Sequence, residues 1–234
     1  MNLYHPFRMI PLRDTTRSRT VPYVNYLLIA LCALVFALEL GSDEQTSNSL
    51  FTMFALFPSE IHRTIFSGEL SVHSIVSLFT SMFLHGGWGH LIGNMLYLFV
   101  FGDNVEDRLG HRGYFLFYFL CGAGAGLIEA AVQGPTDIPL IGASGAIAGV
   151  LGAYFLLFPR ARVLTLIPLI VFFPVVEISA FFFLGFWFLL QFLQGSLTLA
   201  DPGGGGIAWW AHAGGFLAGG VLLPFFLLLR RFSS

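Results

Sequence analysis

Four side chains in this sequence combine reactivity with an apolar setting. Ser144 stands in Gly142-Ala143-Ser144-Gly145 at the head of a hydrophobic run, His212 lies early in another, and His90 and Asn94 share a third. A spacing of four puts His90 and Asn94 on one face of a helix. Serine with histidine is the minimum for nucleophilic acyl transfer: the imidazole takes the hydroxyl proton during attack and returns it to the leaving group. Attack creates an oxyanion, which needs preorganised donors, and His90 and Asn94 can each offer an N–H. A helix that opens at Ser144 adds unpaired backbone N–H groups and its positive end. No Asp or Glu accompanies these residues in the outer part of their spans, so a dyad is expected, its imidazole oriented by packing. The plainer alternative is that Ser144 is a small residue that lets helices touch.

Such groups need apolar elements to hold them. The chain has 234 residues, of which 56% are hydrophobic, 16% aromatic and only 10% charged, and its mean hydropathy is +0.79. An ordinary soluble domain is about a quarter charged. This chain cannot cover a watery surface, so the class implied is an all-α polytopic membrane protein. A net charge of −2 gives no basis for a nucleic-acid partner. A spanning helix needs about 20 mostly apolar residues, and six stretches are candidates: Val21–Gly41, Ser81–Phe101, Gly113–Val132, Gly142–Phe158, Pro174–Gln194 and Ile207–Leu229. Pro168 and Pro174 interrupt the apolar run before the fifth, and Val163–Phe173 reads as a connection that enters or lies on the membrane. The polar start is too long and too varied for a cleaved signal peptide, so Val21–Gly41 reads as a retained span.

Arginine sets the orientation. If the N-terminus is cytoplasmic, Arg8, Arg13, Arg17, Arg19, Arg108, Arg112, Arg160, Arg162, Arg230 and Arg231 lie inside and Arg63 alone lies outside, a positive-inside pattern. Both termini are then cytoplasmic, and the outer links are Ser42–Thr80, Gln133–Ile141 and Gly195–Gly206. On this topology His90, Asn94, Ser144 and His212 share one depth in the outer part of the bilayer, where polar groups are costly and suspect for function. Gly145, Gly149 and Gly152 fall on roughly one face of span four, and Gly215 and Gly219 are spaced as GxxxG in span six. Small faces let membrane helices approach closely, which is what would bring Ser144 to His212.

The remaining polar groups read more plainly. The phenylalanine-rich stretch 50–80 suggests short helices lying apolar side down in the outer interface, with a small folded cap as the alternative. Cys32 and Cys121 read as small buried residues with no disulfide or metal role. His85 and His90 lack an HEXXH frame or a carboxylate cluster, so neither a metal site nor a cofactor is expected. His62, His73 and His111 fall in links and need no special role. Glu177, near the inner end of span five, invites snorkelling or a local hydrogen bond. Glu129 could pair with Arg63 or with no identifiable group.

Three stretches carry a resemblance. TSMFLHGGWGHLIGNMLYLFVFGDNVEDRLG (80–110) contains His85, His90 and Asn94 as HxxxxHxxxN, followed by Gly102, Glu106 and Gly110; GASG occupies 142–145; AHAGGFLAGG occupies 211–220. In this order they resemble the rhomboid family of intramembrane serine proteases, over most of the chain from about residue 79 onward. The resemblance implies a six-transmembrane-helix bundle with Ser144 as nucleophile and His212 as base. It implies that His90 and Asn94 help hold the oxyanion, with Gly142 and His85 beside them, His85 as an accessory group in a water-filled cavity. Glu106 with Arg108 would form a structural network at the inner end of span two, and Gly215 and Gly219 would serve packing. Substrates would be membrane proteins, single-span in the family, cut in or near a segment that unwinds easily. The organisation implied is a cytoplasmic segment over 1–20, a six-helix membrane protease domain over 21–229 with its long outer link at 42–80, and a cytoplasmic tail over 230–234.

Two features depart from the family pattern. The first outer link lacks a Trp-Arg pair, and Ala148 stands where several members stack a tyrosine on the catalytic histidine, so something else must orient His212. Two other functions compete with the protease: a catalytically inactive rhomboid-like protein that binds membrane helices, which would usually lack the dyad, and a small transporter, for which no internal repeat speaks. The compact six-span form suggests a prokaryotic plasma membrane, with the site on the extracytoplasmic side.

Overall fold

The computed structural model describes residues 9–68, 71–169, 171–200 and 207–233. A single small-residue helix sits at the centre: α7 (Ser144–Leu157), with every position from Ala146 to Tyr154 buried. It is apolar on all faces, as a helix surrounded by others must be. Around it pack α5 (Trp88–Leu109), α6 (His111–Gln133), α8 (Ala180–Ala200) and α9 (Trp209–Ser233), while α1 (Tyr23–Gly41) lies mainly against α5. Four helices are long and apolar enough to cross a membrane: α1, α6, Ala180–Leu199 of α8 and Trp209–Phe232 of α9. The polarity of the surface agrees. Leu34, Leu38, Leu116, Phe182, Leu217 and Val221 point outward, whereas Asn25, Asn94, Glu106 and Glu129 are buried. This is the arrangement of a chain solvated by lipid, and the protein is an integral membrane protein. A six-span count further requires α5, which has the length but carries Asp103, Glu106, Asp107 and Arg108 near its end, and α7, which has 14 residues.

The boundaries shift from expectation in physically legible ways. The second apolar stretch begins not at Ser81 but at Trp88, because Gly87 takes φ +155° and breaks the chain after a short turn at Ser81–Phe83. The helix then runs past Phe101 to Leu109, since the acids of its last turns find partners inside the protein. The fold is also not purely helical. Ile10–Asp14 (β1), Arg162–Leu166 (β2) and Val175–Ser179 (β3) form an antiparallel sheet in the order β1-β2-β3. The apolar run Val163–Phe173 therefore does not simply lie on the membrane, and Pro174 opens no helix; α8 starts at Ala180. Val163, Thr165, Val175, Val176 and Ile178 are β-branched, and the two prolines keep the turn between them from becoming helical. Glu177 belongs to β3 and faces Arg162 at 3.6 Å, an exposed pair of small energetic weight. The sheet also joins the N-terminal segment to the body: β1 pairs with β2, and Tyr154 donates a hydrogen bond to Asp14 Oδ2. At the other end α9 passes residue 230 without a break.

The long link after α1 folds into α2 (Glu44–Phe54), α3 (Pro58–Phe66) and α4 (Val72–Thr80). Leu56 and Ile61 pack with Ala130 of α6, so this layer is docked, and Leu56 pairs backbone to backbone with Leu140. His73 takes part in it, with Nδ1 2.7 Å from Glu60 Oε2 and Nε2 2.9 Å from the Met53 carbonyl.

Near the last turns of α5, Glu106 is fully buried. Its carboxylate accepts the Val24 and Asn25 N–H groups at 3.0 and 2.7 Å and faces His111 Nδ1 at 2.5 Å. It thereby satisfies the first turn of α1, where Pro22 provides no side-chain cap. The expected partner Arg108 is not in this network; its guanidinium stands over the Phe158 ring, and His111 takes the role. One turn earlier on α5, Gly102 lets Asn25 in: a Cβ there would fall 2.1 Å from Asn25 Oδ1.

Candidate active site

Ser144 is the first residue of α7, and the loop before it sets its position. Gly142 has φ +107°, a conformation rare for residues with a side chain, and a Cβ there would lie 2.5 Å from His90 Nε2 and 3.5 Å from Asn94 Nδ2. Its N–H donates to the Ser81 carbonyl at 2.9 Å. Gly142 thus holds the loop against His90 and Asn94, immediately before the serine.

His212 comes from the first turn of α9. The two helices meet backbone to backbone. Added Cβ atoms at Gly215 and Gly219 would fall 2.2 and 2.0 Å from the carbonyl oxygens of Gly145 and Gly149, and one at Gly152 would fall 2.0 Å from that of Phe216. The glycines on both faces therefore permit a separation that no other residue allows. The result is a contact of 2.8 Å between Ser144 Oγ and His212 Nε2, with both residues partly exposed.

The other face of the imidazole is also held. His212 Nδ1 lies 2.7 Å from Gln191 Oε1, and the Trp187 ring stands 6.0 Å from the imidazole, centroid to centroid. Both partners come from α8. The first turn of α9 is fixed by Glu129, whose Oε2 accepts the Ala211 N–H at 2.5 Å and whose Oε1 accepts from Gln133 at 2.8 Å. Glu129 does not pair with Arg63.

Asn94 is buried, and its Nδ2 has no hydrogen-bond partner among the described residues. Such a group costs free energy unless something accepts from it. His85 precedes α5 and is 1% exposed, sealed beneath His90 with the rings 5.1 Å apart, so it does not line an open cavity as expected. Its Nδ1 faces the Phe83 carbonyl at 3.1 Å.

The structure therefore brings together Ser144, His212, His90, Asn94 and Gly142, leaves His85 behind them, and places Glu106 and Arg108 away from them, in the last turn of α5. Gln191, Trp187 and the placement of Glu129 were not foreseen. A neutral amide within an apolar run gives no pattern, and its contact with His212 spans two helices.

A helical membrane protein in which serine and histidine meet between closely packed helices is the class these features define. Comparison with known families agrees. The Rhomboid domain matches residues 72–230, and the chain belongs to the rhomboid family. It is similar to RHOMBOID-like protein 5 of Arabidopsis thaliana, 32% identical over 155 residues, which cover 65% of this chain and 44% of that protein. Rhomboid protease GluP of Bacillus subtilis (strain 168) is 36% identical over 133 residues, 56% of this chain and 24% of that protein. The chloroplastic Rhomboid-like protein 11 of Arabidopsis thaliana is 40% identical over 70 residues, 30% of this chain and 25% of that protein. The chain spans less than half the length of each of these relatives.

Proposed function

We propose that this protein is an intramembrane serine endopeptidase that cuts transmembrane or juxtamembrane segments of membrane proteins, single-span ones above all, through a Ser144–His212 dyad. The observation that carries the reading is the 2.8 Å contact between Ser144 Oγ and His212 Nε2, made across two helices. In the reaction His212 Nε2 takes the hydroxyl proton as Oγ attacks the scissile carbonyl, and gives it to the departing amine as the acyl-enzyme forms. Water then enters, His212 takes its proton as the oxygen adds to the acyl carbon, and returns it to Ser144 Oγ as the ester bond breaks and the acid product leaves. On this reading the unspent Asn94 Nδ2 donor, His90 and the N–H groups of the first turn of α7 receive the oxyanion; the buried, unpartnered Asn94 Nδ2 supports that role.

Depth supports the reading. At 1.5 Å per residue α7 is about 21 Å long against a hydrocarbon core of about 30 Å, so with its other end at one boundary Ser144 lies roughly 9 Å inside the opposite one. The arginine distribution favours six spans over residues 21–229, cytoplasmic termini and a site facing the extracytoplasmic side of a plasma membrane. The test is cleavage of a single-span reporter in proteoliposomes. Wild type cuts it, while Ser144→Ala and His212→Ala do not, both variants retaining the wild-type thermal midpoint. Near-normal turnover by either variant defeats the proposal.

A further inference from the structure

We infer that Gln191 is the positioning residue of the catalytic base: it fixes which nitrogen of His212 carries the proton and so keeps Nε2 free to accept from Ser144. The inference rests on the protease reading above. Gln191 is buried, and its amide is oriented from within its own helix. Nε2 donates to the Trp187 carbonyl at 3.3 Å, a partner that can only accept. Its oxygen is therefore the atom turned toward His212, at 2.7 Å from Nδ1. A carbonyl oxygen cannot donate, so Nδ1 must carry the hydrogen, and the neutral ring then presents a bare Nε2 to Ser144 Oγ–H at 2.8 Å. In the opposite tautomer Gln191 Oε1 would face a second acceptor and Ser144 would lose its base. Ala148 is fully buried and carries no ring to stack on the imidazole; Trp187 of α8 and Trp209 of α9 flank the ring, and the polar contact that sets its tautomer comes from α8, the helix that bears neither nucleophile nor base.

The neutral amide also explains why a carboxylate was not needed: it selects the tautomer without adding charge. Among the described residues the titratable groups near His212 are His90 on α5 and Glu129 on α6, whose carboxylate binds the N–H of the preceding residue; Gln191 and Trp187 on α8 and Ser144 on α7 do not titrate in the working range. These neighbours are the same in every variant, so the effect of a charge placed at 191 is read as the difference from wild type at each pH.

The test uses a fluorophosphonate on the full-length protein in detergent, which requires no knowledge of the natural substrate. Ser144 Oγ bonds to phosphorus, fluoride leaves with the P–F electron pair, and the hydroxyl proton passes to His212 and then to water. The maximal labelling rate and the half-saturating probe concentration are measured against pH for wild type, Gln191→Leu and Gln191→Glu, with thermal midpoints. Leucine keeps bulk without an acceptor and should slow the maximal rate at least about tenfold at every pH, with half-saturation unchanged. Glutamate restores the acceptor, so it should recover most of the rate at alkaline pH. Its carboxylate favours the imidazolium, and only the neutral ring takes the proton, so the acid limb should move to higher pH. A wild-type maximal rate in Gln191→Leu overturns the inference. So does an equal loss in both variants with the acid limb unmoved, which marks a structural role. Failure of the wild type to label at Ser144 would instead remove the protease reading itself.

Discussion

That Ser144 and His212 meet was legible only from the pair, since a lone serine in a glycine-rich membrane helix is as readily a packing residue, and the nearness of His90 and Asn94 was legible from a spacing that shares a helix face. Gln191 was not legible, since nothing local distinguishes a tautomer-setting amide from any other glutamine in a membrane helix. Glu129 was visible as an anomaly, but its partner is a backbone N–H on α9 that only the fold supplies. At this scale the account gives Asn94 a sharper duty than His85. Asn94→Ala should lower the reporter cleavage rate by roughly 10²–10³, the usual effect of removing one oxyanion donor, while the apparent affinity stays close to wild type. A loss confined to affinity would place Asn94 in substrate binding instead.

The helices around the site were legible by length and hydropathy, but not their ends. Apolar windows do not reveal that Gly87 breaks the chain or that the acids ending α5 are satisfied internally, and a β-branched run between prolines looks apolar whether it forms strand or membrane helix. Three element-level outcomes follow. Gly219→Val would push a side chain into the Gly149 carbonyl; the helices must separate, costing roughly 1–3 kcal/mol of stability and weakening the Ser144–His212 contact. Thermal unfolding together with reporter cleavage should show both losses. Glu106→Ala leaves the first N–H groups of α1 buried without an acceptor and should lower stability by roughly 3 kcal/mol, read as a reduced thermal midpoint. The α2–α4 layer should respond to pH. His73 sits between a carboxylate and a carbonyl, so only the doubly protonated ring satisfies both, and the hydrogen bond to Glu60 is the main cause that raises its pKa above the ordinary imidazole value. Its stabilisation of α2–α4 is full below that ordinary value and is lost as pH rises through the raised one. Amide exchange in α2, corrected for intrinsic rates, should therefore quicken on that rise in wild type but not in His73→Ala.

Across the whole molecule the chain places apolar side chains outward and polar ones inward around one short central helix of 14 residues. The small sheet anchors α7 from the side opposite the serine, through Asp14 and Tyr154, and α9 closes against α7 on glycine. The serine therefore meets its base only when the bundle is assembled. The central claim is that this assembly makes Ser144 a nucleophile dependent on His212. Peptide mapping of the fluorophosphonate adduct by mass spectrometry tests it most directly. The account predicts one adduct, on Ser144, present in wild type and missing from His212→Ala of unchanged thermal midpoint. Labelling on another residue, or equal labelling of Ser144 without His212, would contradict it.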